Sequence, residues 1–347
     1  MNFDLPIGQG FPWLAPLAGF SDLAFRLLCR EQGAAVACTE MVSAKGLIYG
    51  MRKKGKGDSL SGTEELLTTT PEDNPLVVQL FGAEPEFLAD AIALLRERGF
   101  RFFDLNMGCS VPKVTKTGAG ASLLRDPGKA LVAAKAVFQA AGPGMAGCKL
   151  RLGWDSASPV YLSLSQALED AGAAWITLHP RYARQRFGGN VERSALASLA
   201  ATLRIPVLAS GDLFTVEDAA RCLETGVKGL MFARGAMANP EIFLQYRHFL
   251  ESGEAVLTSG DTGMAPERLL AVILRHAELA RRFTPGNLSR GGHSPALLKM
   301  RTAVPRYVRH LPGVKRLRLA LVRCGSWEEL DGTLRDFFES VALRTCP

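Results

Sequence analysis

No uncharged apolar run in this sequence reaches the roughly 18 residues that a membrane-crossing helix needs, so no transmembrane segment is expected. The opening MNFDLPIGQG lacks a basic stretch followed by an apolar one, so no signal peptide is expected either. The seven cysteines (Cys29, Cys38, Cys109, Cys148, Cys222, Cys324 and Cys346) are odd in number and scattered, and no two form a C-x-x-C pair. That argues against a disulfide framework or a structural zinc site, and for a reducing cytoplasm. The histidines show no H-x-x-x-H spacing, so no metal site is read. There is no low-complexity tract. Between residues 281 and 327 there is no Asp or Glu at all, against eleven Lys and Arg.

What is present is an ordinary globular composition. The 347 residues are 47% hydrophobic and 22% charged, which excludes a disordered or fibrous chain. The length suits one large domain or two unequal ones. The net charge of +7 is unevenly placed, because residues 260–347 hold 15 basic and 8 acidic side chains while residues 1–259 hold 26 of each. A neutral body with a basic tail points to a polyanionic partner met by the tail. A solvated basic helix face would give the same charge count.

Short apolar runs alternate with amphipathic segments along the first 250 residues. The strand-like runs fall at 11–19, 35–41, 76–82, 102–109, 147–153, 174–181, 206–212 and 229–235. They read as continuous apolar stretches, as buried parallel strands do. The helical segments between them stop at Gly99, Gly142 and Gly226, and Asp126 and Thr215 are suited to start two of them. Eight such cycles predict an α/β fold, a (β/α)8 TIM barrel, in preference to a doubly wound sheet. From about residue 250 the strand-like runs vanish and four helical patterns follow. The chain therefore divides into a barrel (1–250) and a small all-helical C-terminal domain (260–347), hinged near 251–266.

Polar residues gather at the strand ends: Pro16, Glu40, Gln79, Asn106, Cys109, Lys149, His179, Asp212 and Arg234. In a barrel those ends share one face, where active sites lie. Ser210-Gly211-Asp212 and Ala233-Arg234-Gly235 end the seventh and eighth strands, where barrels often bind phosphate through backbone N–H groups and a helix start. Tight strand–helix turns also use glycine. A phosphate-anchored cofactor here is most naturally FMN, with Pro16, Leu17, Ala18 and Gly19 as a flat contact and Gln79 and Lys149 at the ring's polar edge. Cys109, on a Gly-rich turn, is a competent proton donor while it stays a thiol. His179 precedes Arg181, Arg184, Gln185 and Arg186 on one loop, which favours an anionic ligand nearby.

With these residues in view, the chain resembles the tRNA-dihydrouridine synthases. The matching segments are APLAGFSDLAFR (15–26), TEM (39–41), QLFG (79–82), DLNMGCSVPKV (104–114), GAGASLL (118–124), KLRLGW (149–154), HPRYARQRFGG (179–189), SGD (210–212) and ARGAMANP (233–240). The resemblance implies an FMN enzyme that uses NADPH to reduce one tRNA uridine to 5,6-dihydrouridine. It implies FMN contacts from Pro16, Leu17, Ala18, Gln79, Lys149, His179, Ser210, Gly211, Asp212, Ala233 and Arg234. Cys109 would give a proton to C5 while reduced FMN delivers hydride to C6, and Asn106 and Arg181 would lie beside the base. The basic tail would bind tRNA, helping to flip the base out of the folded RNA. A soluble cytoplasmic protein without metal, monomeric in preference to an oligomer, completes the expectation.

Three positions depart from the family's usual pattern: Ser110 stands where proline follows the cysteine, Pro180 interrupts H-G-R, and Ser210 replaces the asparagine of N-G-D. None removes a group the reaction requires. Two other readings remain open at this point. One is an FMN-dependent small-molecule dehydrogenase of the dihydroorotate or dihydropyrimidine kind. The other is a non-catalytic tRNA-binding factor.

Overall fold

A computed structural model of the chain describes residues 5–53, 62–253, 264–284 and 294–345. Eight parallel strands close a barrel: β1 (Trp13–Leu14), β2 (Val36–Cys38), β3 (Leu76–Phe81), β4 (Phe102–Met107), β5 (Ala146–Arg151), β6 (Ile176–His179), β7 (Val207–Ser210) and β8 (Gly229–Phe232). Each pairs with the next, and β8 returns to β1 with Trp13 opposite Met231 and Leu14 opposite Phe232. All eight strands match expected runs, although β1 and β2 are much shorter than 11–19 and 35–41. After β2 the chain pairs again as Val42–Ser43, beside the end of β3, a pairing not foreseen.

Period-2 alternation sends side chains alternately inward and outward. Outward residues such as Val78, Leu105 and Leu150 join the large core shared with the surrounding helices. Inward residues including Trp13, Val77, Phe102, Trp175, Leu208 and Met231 form a second cluster that plugs the barrel, with Trp13 and Trp175 edge-on at 5.6 Å. The plug fills the barrel interior beneath the C-terminal ends of the strands.

The helix starts follow local chemistry. Asp126 accepts from the Lys129 N–H at 3.1 Å to cap the helix Pro127–Ala141. Thr215 and Asp218 form a reciprocal capping box for Val216–Leu223. The helix Leu23–Glu31 is tied to the loop before β3 by a buried ion pair, Arg26–Asp73 at 2.8 Å. Arg26 also donates to the Ser21 and Thr68 carbonyls, each at 2.7 Å. That fixes the loop between β1 and the first helix, which carries Pro16 to Ala18.

Beyond the barrel the described chain is helical: Pro266–Phe283, Pro295–Tyr307, Val314–Arg323 and Trp327–Thr345. These are the four segments that the sequence pattern marks. Most of the expected hinge, residues 254–263, lies outside the described residues, as do His293 and Cys346. The helices share the barrel's large core through Leu269, Ile273, Leu297 and Val304. Ion pairs Arg275–Glu31 at 2.5 Å and Lys299–Asp22 at 2.9 Å clasp them to the first barrel helix. Among the described residues, no helix is long and apolar enough to cross a membrane.

Candidate active site

A cavity of about 410 Å3 opens over the barrel plug at the strand ends. Pro16, Leu17, Ala18, Gln79, Asn106, Cys109, Lys149, His179, Ser210, Gly211, Asp212, Ala233 and Arg234 all line it. Segments more than 200 residues apart in sequence thus converge on one volume, as ring closure of the barrel demands. Glu40, another strand-end residue, is buried off the cavity, where it accepts from the Gly19 N–H at 2.5 Å.

Cys109 follows β4 on a loop held from two sides. Its N–H donates to Asn106 Oδ1 at 2.9 Å, beside the Gly108 N–H at 3.1 Å. Its carbonyl accepts from Ala121 at 2.8 Å. Gly120 lies directly beneath, at φ +60°, and a Cβ there would meet the Cys109 carbonyl at 2.7 Å. Only glycine allows that approach. Burial pushes the Cys109 thiol above its ordinary value, so it stays protonated at neutral pH.

A row of polar groups runs down into the barrel from this loop. Asn106 Nδ2 donates to Gln79 Oε1 at 2.7 Å, and Gln79 Nε2 donates to Asp104 Oδ2 at 2.7 Å. Asp104 is buried beneath the cavity, and that burial pushes its carboxyl up to about 7. Lys149 has no hydrogen bond or ion pair to the described residues, and burial with the Arg151 charge draws it down to about 8. Burial, reinforced by the surrounding cations, drives His179 well below its usual range. Its imidazole is therefore neutral, with Nε2 3.4 Å from Arg181.

Asp212, at the end of β7, bridges two arginines, with Arg181 and Arg234 each at 2.5 Å. It sits at φ +49°, and the preceding Gly211 leaves room for the His179 ring, which a Cβ would strike at 2.4 Å. Burial opposes ionisation of Asp212, but the two guanidiniums outweigh it and hold the carboxyl below its ordinary value.

Arg181 differs from expectation. It is 2% exposed and does not line the cavity. Its guanidinium is committed to Asp212 and to the carbonyls of Gly188 at 3.2 Å and Gly189 at 2.6 Å. Arg181 therefore braces the loop after β6.

The residue that does face the cavity is Arg151, which sequence reasoning passed over. It lies two positions after Lys149 on β5, and that spacing was the available signal. It donates to the Gly108 carbonyl at 2.9 Å and to the Arg186 carbonyl at 2.7 Å, joining the loops after β4 and β6. Phe187 was also missed; its exposed ring lies 4.5 Å from the Arg234 guanidinium at the rim. Arg306 arrives from the helix Pro295–Tyr307, with its guanidinium 4.3 Å from the Phe20 ring. Nothing local in the sequence marks it. A second cavity of about 420 Å3 shares Phe214, Arg234, Met237 and Arg306 with the first and adds Arg309 and Arg318. Among the described residues, no group of three or more His, Cys, Asp or Glu could hold a metal.

The family model described as dihydrouridine synthase (Dus) matches residues 13–340. A probable tRNA-dihydrouridine synthase of Treponema pallidum is 33% identical, over 96% of this chain and 95% of its own length. A probable tRNA-dihydrouridine synthase 1 of Synechocystis is 38% identical, over 69% of this chain and 65% of its own length. The tRNA-dihydrouridine synthase B of Xanthomonas axonopodis pv. citri is 35% identical over 70% of each chain. With the family match spanning barrel and helical region alike, this chain belongs to the dihydrouridine synthase family.

Proposed function

We propose that this protein reduces a uridine of tRNA to 5,6-dihydrouridine in the barrel cavity, with Cys109 as the acid, FMN as the bound cofactor and NADPH as the reductant. The observation that carries the reading is a thiol kept neutral by burial, facing one cavity with Asn106, Lys149 and the neutral His179.

The residues present fit FMN. The volume lies within the range of about 300–1,000 Å3 usual for small-ligand sites. Pro16, Leu17 and Ala18 offer a flat wall, Gln79 an amide, and Lys149 a cation with no partner among the described residues. Ser210, Gly211, Ala233 and Arg234 would hold the phosphate, the last at the start of the helix Arg234–Ala238. When bound, FMN supplies the hydride that C6 of the uracil receives.

The chain's own residues do the rest. Cys109 gives its proton to C5, and the Asn106 bonds to the loop N–H groups keep the thiol at the cavity wall. Lys149 is cationic below about pH 8 and places that charge against the polar edge of the bound ring. Its lowered pKa means the charge is complete at low pH and lost as pH rises through about 8. Product formation at saturating substrate is therefore expected to fall above that pH. In Lys149→Arg the fall moves upward, because arginine stays protonated and the Cys109 thiol becomes the next group to ionise. A profile flat through pH 9 in the wild type, followed by mass spectrometry of nucleosides, would remove Lys149 from this role.

The helical region 260–347 serves as the RNA-binding part. Arg306, Arg309 and Arg318 make no ion pair among the described residues and converge with Arg234 on the second cavity. Arg318→Ala is expected to weaken tRNA binding and lower its salt slope by about one. Arg316, two residues earlier on the same helix, does not line that cavity, and its replacement has the smaller effect. Fluorescence anisotropy across a salt series reads both; equal losses would place the RNA elsewhere on this helix.

The direct test combines the purified protein, NADPH and an unmodified tRNA transcript. A uridine gaining two hydrogens is the expected result. Turnover of free uracil or orotate without competition by tRNA would favour the small-molecule reading. Absence of product from FMN-loaded protein that still binds tRNA would favour a non-catalytic factor.

A further inference from the structure

Asp104 lies outside the cavity wall and makes no contact that the reading above uses. It is one of the few buried carboxyls in the barrel interior, at 1% exposure. Alternation along β4 explains its place: Phe102 belongs to the plug, Asn106 lines the cavity, and Asp104 lies on the same face between them. It sits opposite Gln79 on the neighbouring strand, in register.

We propose that Asp104 is a positioning residue that sets the orientation of the Gln79 amide and, through Asn106, holds the Cys109 loop in place. The two ends of a carboxamide are nearly equal in shape, so packing alone does not choose which faces where. Once ionised, above about pH 7, the carboxyl chooses, because it then only accepts. With Gln79 Nε2 drawn to Asp104, Gln79 Oε1 must face Asn106 and accepts from its Nδ2. Asn106 Oδ1 is then left to accept from Gly108 and Cys109. Turning both amides over would aim Asn106 Nδ2 at two backbone N–H groups that have no freedom to rotate away. The lower end of this relay sits on two paired strands, whereas the upper end holds a loop that has left the sheet after Met107. Order therefore passes from the paired strands to the loop.

The neighbour on the other side makes the carboxyl hard to replace. The Trp175 indole N–H faces Asp104 without reaching hydrogen-bond geometry, and Trp175 Nε1 and Asp104 Oδ1 are both without a partner among the described residues. An asparagine at 104 would turn its NH2 either toward Gln79 Nε2 or toward this indole N–H. One choice inverts the relay and the other opposes two donors.

The test reads the loop directly, by the rate at which Cys109 is alkylated by iodoacetamide in the purified full chain, followed by peptide mass spectrometry. The proposal deepens the assignment of Cys109 as the acid and rests on it only for turnover. Asp104→Asn is expected to raise the alkylation rate about three- to tenfold, the scale of one or two lost hydrogen bonds. Asn106→Ala should do the same, and the double variant should react no faster than Asn106→Ala alone, because both act through one relay. Gln79→Met cuts the relay from the neighbouring strand and should give the same rise, so the proposal stays testable if Asp104→Asn does not fold. In dihydrouridine formation, Asp104→Asn should lower kcat and leave tRNA affinity unchanged. A wild-type alkylation rate in both Asp104→Asn and Gln79→Met, or a double variant whose rise is the product of the two single ones, overturns the proposal. If the wild type forms no dihydrouridine, the functional reading falls while the alkylation comparison still decides the relay.

Discussion

Cys109→Ala is expected to lower dihydrouridine formation by about 10²–10⁴-fold, the usual contribution of a positioned general acid. The same variant should keep its flavin and its bleaching by NADPH, because no flavin contact is assigned to the thiol. The argument turns on protonation. Burial holds the thiol above its ordinary value, so at neutral pH it has a proton to give and little thiolate to attack with. Cys109→Ser should recover little, since a hydroxyl is a far weaker acid. Stopped-flow reduction of the flavin, beside mass spectrometry of the tRNA product, separates the two half-reactions. Equal product from wild type and Cys109→Ala would end the assignment of this residue as the acid.

The second large effect is on stability. Arg26 and Asp73 are 1% and 0% exposed, and the pair joins the first barrel helix to the loop before β3. Removing one partner leaves a buried charge without its counter-ion, which costs about 3–5 kcal/mol. Asp73→Ala should therefore consume a large share of a typical folding free energy of about 5–15 kcal/mol. Because Arg26 also holds the Ser21 carbonyl, the loop bearing Pro16 to Ala18 should loosen, and purified protein should retain less flavin. Arg26→Met with Asp73→Leu removes both charges and should be less destabilised than Asp73→Ala alone. Urea denaturation measures this; a loss below about 1 kcal/mol in Asp73→Ala would assign the pair to the weak class typical of the surface.

Arg306 belongs to the helical region but lines the barrel cavity, so RNA held by the helices and a base held by the barrel would share one arginine. Under the proposed function, the uneven charge distribution of the chain would have a mechanical use. Backbone contacts on the helices can offset the cost of flipping a base into the cavity only if the two sites are rigidly related. The shared core of Leu269, Ile273, Leu297 and Val304 with the barrel packs the helices against it.

The sequence by itself determined the architecture and most of the cavity wall. Eight buried strands announce themselves by continuous apolar runs, and the residues at their ends share one face because parallel closure permits nothing else. Caps such as Asp126 and Thr215 were equally legible, since their chemistry acts within four residues. The tertiary structure alone decided which neighbours each side chain meets. Arg151 ends β5 and Arg181 lies two residues beyond β6, yet Arg181 is held by Asp212 and two carbonyls while Arg151 lines the cavity. Asp104 reads in sequence as a polar residue inside a strand; only the register of β3 against β4 places Gln79 upon it. Arg306 reaches the barrel from a helix nearly 200 residues beyond β4, and Arg318 shares a cavity wall that Arg316 does not. Local patterns fix elements because backbone geometry is periodic, whereas contacts between distant segments depend on register and docking, which no local period encodes.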